Sequence, residues 1–169
     1  MENLKESISL ALEMEKEGYD HYVNAARHTK NLLGKKTLEA IAAKELDHMR
    51  AIEMFSADIN AAITLIRPQD KLAYLKPMMD ALKGKLEAEV TIDADLTKAY
   101  EVAMTLEQAS FNLYEKLAKE STDPASKKFF EFLKGEENTH FQLLQDTLQY
   151  LAHPADWFRY EEKWIVDGG

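Results

Sequence analysis

Glu45-Leu46-Asp47-His48 and Glu137-Asn138-Thr139-His140 are two Glu-x-x-His motifs set 92 residues apart. A single glutamate leads each by the same interval: Glu15 stands 30 positions before Glu45, and Glu107 stands 30 before Glu137. Residues three apart share a helix face, so each motif presents a carboxylate and an imidazole to one side. Six metal-ligand groups repeated at a fixed offset, in a chain rich in helix formers, predict an all-α four-helix bundle around a dinuclear metal site.

Apolar residues at three-four spacing place each of these groups on an inward seam. In the first helix, expected over residues 3–28, Leu4, Ile8, Ala11, Gly18, Tyr22 and Ala25 line up with Glu15. Glu13 and Glu17 have polar helical neighbours and belong to the solvated side. The second helix, expected to begin after Gly34, sets Leu38, Ile41, Ile52, Phe55 and Ile59 around Glu45 and His48. The third, over residues 95–119, carries Leu96, Tyr100, Ala103, Ser110, Tyr114 and Leu117 beside Glu107. The fourth lines up Phe130, Leu133, Leu144 and Leu151 with Glu137 and His140. Replacing Glu137 is therefore expected to release metal, whereas Glu136, one position away, is expected to matter little. Asn3 with Glu6 reads as a capping box, and Asp123-Pro124 as an N-cap followed by proline at the first helical position.

A shift of 92 also superposes Ala11 on Ala103, Tyr22 on Tyr114, Ala26 on Ala118 and Lys36 on Lys128, the signature of a duplicated helical hairpin. The connectors at 29–35 and 120–124 are short, so each hairpin is antiparallel. Residues 67–94 form a long crossover. Helices of about 25 residues extend roughly 37 Å, and a link of that length can return to the starting end. Pro68 and Pro77 interrupt it, with a short helix expected over 78–89. Residues 1–152 thus read as one four-helix bundle domain. The remaining 153–169 form a short tail whose Trp157, Phe158, Tyr160 and Trp164 dock on the bundle or on a neighbouring subunit.

Composition narrows the chemistry. At 169 residues the chain is the size of one domain, able to bury close to ~70% of its extended surface. The net charge of −9, from 30 acidic and 21 basic residues with no basic stripe, disfavours nucleic acid. With no cysteine, disulfides and thiolate-bound metal centres are excluded, and a metal must be held by oxygen and imidazole. No run of 18 uncharged apolar residues marks a membrane span, and the start of the chain lacks an apolar leader core, so a cytoplasmic location is expected.

The competing reading makes the six groups a buried network of salt links. No lysine or arginine shares their seams, and unpaired buried ions cost several kcal/mol each. Either the carboxylates take up protons, or cations are bound. Four carboxylates and two neutral imidazoles suit iron or manganese better than structural zinc or calcium. His48 and His140 would each hold one ion. Symmetry allows either Glu45 with Glu137 or Glu15 with Glu107 to bridge.

Glu15, Gly18, Tyr22 and Glu107, Ser110, Tyr114, each set followed by its Glu-x-x-His, resemble the rubrerythrin-like branch of the ferritin-like superfamily over residues 4–151. The resemblance implies two iron ions, with manganese an alternative, in a non-haem carboxylate centre that reacts with hydrogen peroxide or dioxygen. It departs from that pattern at Ser110, where rubrerythrins have a further carboxylate, and in having no Cys-rich rubredoxin domain. An external electron donor protein such as a rubredoxin is then required, and a homodimer or higher homo-oligomer is expected. Ferroxidase activity in iron storage and a dimanganese catalase-like reaction stay open as alternatives. Tyr22 and Tyr114 either hydrogen-bond the ligands from behind or fill the core. His21, His28 and His153 fall off the ligand seams and are expected at the surface.

Overall fold

The computed structural model describes residues 2–66 and 93–153, which contain five helices and no strand. They are α1 (Glu2–His28), α2 (Leu32–Met54), α3 (Ile59–Leu65), α4 (Ala94–Glu120) and α5 (Pro124–Ala152). The expected crossover helix over 78–89 and the aromatic tail beyond 153 lie outside the described residues.

Each hairpin follows from its turn chemistry. After α1 the Asn31 side chain accepts from the Gly34 amide at 2.8 Å and starts α2, two residues before Gly34 rather than after it. Asn31 supplies the missing first-turn partner, so the glycine is not a helix break. Its bare Cα serves a close approach instead: an added Cβ would come within 3.0 Å of Leu96 Cδ2 on α4. The Gly34 carbonyl also accepts from the Tyr100 hydroxyl at 3.0 Å. In the second hairpin Asp123 caps α5, accepting from the Ser126 amide at 2.8 Å, with Pro124 in the first turn.

The second helix is also shorter than its apolar spacing suggested. It ends at Met54, and Asp58 caps the separate short helix α3, accepting from the Ala61 amide at 3.0 Å. Phe55 and Ile59 still pack inward across this break. At the start of the chain, α1 is already helical at Glu2, so Asn3 is not its cap.

Contacts along the helices give their directions. Glu15 meets Tyr114 while Tyr22 meets Glu107, so α1 and α4 run antiparallel. Thr37 meets Thr147 while Phe55 meets Phe129, so α2 and α5 do as well. The ion pair of Glu15 with His48 closes the first hairpin in the same sense. The helices therefore run up, down, down, up, and α4 begins at the end of the bundle opposite to α3.

The core lies in two blocks. One gathers Tyr22, Leu38, Ile41, Tyr100, Leu143, Leu144 and Leu151. The other gathers Ala11, Ile52, Phe55, Tyr114, Phe129, Phe130 and Leu133. Phe55, Phe129 and Phe130 pack in tilted and edge-on pairs at 4.8 to 5.3 Å between centroids, and burying each such ring is worth about 1.5–3 kcal/mol. Between the blocks sits a layer of acids and imidazoles. Among the described residues no helix is long and apolar enough to cross a membrane.

Candidate metal centre

Each of the four long helices contributes to that layer at mid-length, far from its ends. Glu15 comes from α1, Glu45 and His48 from α2, Glu107 from α4, and Glu137 and His140 from α5, and all six are at most 2% exposed. Three-four spacing carries the apolar seam straight through them, so the packing that builds the core also buries the charges.

His48 Nδ1 stands 3.1 Å from Glu15, 3.2 Å from Glu137 and 3.4 Å from Glu45. His140 Nδ1 stands 3.1 Å from Glu45 and 3.5 Å from Glu107. The two rings stack with centroids 5.4 Å apart and planes 18° apart. Ligand atoms of Glu15, Glu45, His48 and Glu137 lie within 4.8 Å of one another, as do those of Glu45, Glu107, Glu137 and His140. Glu45 and Glu137 belong to both groups.

Tyr22 and Tyr114 complete a reciprocal arrangement. The Tyr22 hydroxyl donates to Glu107 across the bundle, and the Tyr114 hydroxyl donates to Glu15. Each tyrosine thus secures a carboxylate of the other hairpin. His21 Nε2 donates to the Ala99 carbonyl, 2.8 Å away and partly buried, so it ties α1 to α4 rather than standing free at the surface. His28 and His153 are exposed.

Without cations the charges are balanced by protons. Burial, followed by the charge of Glu45, raises the Glu15 carboxyl from 4.5 to about 8. Burial and the charges of Glu15, Glu107 and Glu45 push Glu137 well above the usual carboxylate range. Burial would likewise raise Glu45, but its close neighbours Glu15, His140 and His48 outweigh it and hold Glu45 low. For His140 burial disfavours the charged ring, yet Glu107 and Glu45 lift it from 6.5 to about 9. The same contest, with Glu15 as the main neighbour, raises His48. Burial and the nearby carboxylates keep both tyrosines protonated.

The donor set fits divalent cations. Glu45 Oε1, His48 Nε2, Glu107 Oε2 and Glu137 Oε1 are buried and make no hydrogen bond, although a buried polar atom is nearly always satisfied. Three of these four atoms are carboxylate oxygens within the two clusters, where a cation would meet them. Oxygen and imidazole donors without thiolate match iron or manganese.

One buried acid escaped the sequence reading. Glu136, expected to matter little, is 1% exposed and groups with His48 and His140, ligand atoms of all three lying within 4.8 Å of one another. The signal was present: Phe129, Leu133, Glu136, His140, Leu143, Thr147 and Tyr150 form a second three-four row on α5, all buried. This helix is covered across a stripe wide enough to hide neighbouring positions, so adjacency to Glu137 does not place Glu136 in solvent.

No curated protein and no solved structure matches the chain. The family model described as Rubrerythrin does, over residues 2–148, a span containing both hairpins and all six clustered ligand-type side chains. This chain belongs to the rubrerythrin family of the ferritin-like superfamily.

Proposed function

We propose that this chain is a cytoplasmic di-iron oxidoreductase that reduces hydrogen peroxide or dioxygen with electrons from a separate donor protein. The family implies a di-iron carboxylate protein. The observation that carries the reading is the pair of interlocked ligand groups, which share Glu45 and Glu137 and differ in Glu15 with His48 against Glu107 with His140. That sharing would let Glu45 and Glu137 serve both ions, with one further glutamate and one histidine to hold each. Iron held there would supply the two electrons that, with two protons, turn one peroxide into two waters, and the outside donor would restore them.

The protein's own groups perform the remaining work. Tyr22 and Tyr114 hold Glu107 and Glu15 in place through their hydroxyls, limiting how far these carboxylates swing as the charge beside them changes. The apolar blocks above and below exclude bulk water, so each carboxylate acts on its cation in a medium of low dielectric. His48 and His140 are neutral when ligating, so cation binding must expel the protons that fill the metal-free site.

Anaerobic loading with Fe(II) should give two ions per chain, and stopped-flow mixing with peroxide should oxidise them much faster than free Fe(II). Oxidation no faster than that of the free ion would refute the assignment. Metal analysis of protein from its native cells separates iron from manganese. Size-exclusion chromatography tests the expected homodimer or higher homo-oligomer, and a large cage would favour iron storage.

A further inference from the structure

Ligation through one ring nitrogen fixes the proton on the other. His48 and His140 both turn Nδ1 toward the carboxylates of the centre, so as neutral ligands each must carry its hydrogen on Nε2. That N–H is a donor and, where buried, needs an acceptor. His48 Nε2 is buried and makes no hydrogen bond. Among the five buried glutamates of the described residues, four belong to the two ligand groups, and the fifth, Glu136, clusters with these two rings. It lies one helical turn before His140 on α5, on the same face.

We infer that Glu136 is the positioning residue for both ligand imidazoles. Its carboxylate accepts the Nε2–H of His48 and of His140 when Nδ1 of each holds a cation, which fixes tautomer and ring plane together. An ionised carboxylate can accept at both oxygens, so one side chain can serve two stacked rings. The duplication does not repeat the device: 92 positions earlier the corresponding residue is Lys44, a cation that cannot accept. The histidine environment is therefore asymmetric even where the ligands are not. This inference rests on the metal reading above and extends it to the rings' outer side.

Cobalt(II) titration of the metal-free chain, followed by its visible absorption, tests it. Wild type, Glu136→Ala and Glu136→Gln are compared, with thermal melts of each metal-free form. Glu136→Ala should weaken cobalt binding about 10–100-fold, the range seen for lost partners of ligating histidines. Glu136→Gln, with one acceptor oxygen, should fall between. In zinc-loaded protein, histidine 15N spectra should show both rings as Nε2–H tautomers, with the exchange protection of those protons lost in the alanine variant. Wild-type cobalt affinity in Glu136→Gln, or losses that follow metal-free stability alone, would overturn the inference. A wild-type chain that takes up no cobalt would instead bring down the metal reading, and this inference with it.

Discussion

Tyr22 and Tyr114 have the sharpest assignment at the scale of single residues, because each reaches a carboxylate of the opposite hairpin. Tyr22→Phe should leave Glu107 without its donor and Tyr114→Phe should do the same to Glu15. Each ought to lower Fe(II) affinity roughly 10-fold while the fold persists, measurable by anaerobic titration beside circular dichroism; unchanged affinity in both would make the tyrosines packing alone. The spacing of the two Glu-x-x-His motifs was enough to bring six ligand-type residues into one cluster. Spacing could not say which oxygen faces which ring, since Glu45 and Glu15 are equally inward on their seams. Nor could it rank Glu136, because a helix buried on a wide stripe offers two overlapping rows.

Helix existence was legible and helix ends were less so. The apolar rows identified α1, α2, α4 and α5, but α2 was started late because Gly34 looks like a terminator, whereas Asn31 is the cap and the glycine admits Leu96. The apolar row also ran through the break before α3, since Phe55 and Ile59 stay buried or half-buried on either side of it. Side-chain capping at Asp58 competes with continued helix, and periodicity is blind to that competition. Asp123→Ala removes the acceptor that starts α5. Losing this cap should lower the melting temperature by about 2–4 °C in a protein of this size. A calorimetric scan of the metal-free form would measure the loss, and Asn31→Ala should match it at the head of α2.

Across the whole molecule, the buried acids make stability depend on what occupies the centre. Glu15 rises from 4.5 to about 8 and His140 from 6.5 to about 9, so the folded metal-free chain keeps protons that the unfolded chain would release. That contribution is complete below 4.5 for Glu15 and below 6.5 for His140, and it is lost as the pH passes 8 and 9. The melting temperature of metal-free protein should therefore fall through neutral and mildly alkaline pH. Metal-loaded protein should not follow it, because cations replace the protons and deprotonation then favours binding. Melts with and without Fe(II) at a series of pH values give the comparison, and parallel curves would contradict it. Neither ligand group is complete within one hairpin: the first draws Glu137 from the second half, and the other draws Glu45 from the first. Cut within residues 67–92, the two halves would behave as the parts of a split reporter. Mixed as separate peptides they should remain largely apart, and ferrous ion should act as the glue that joins them, a dimerisation switch that sedimentation would register.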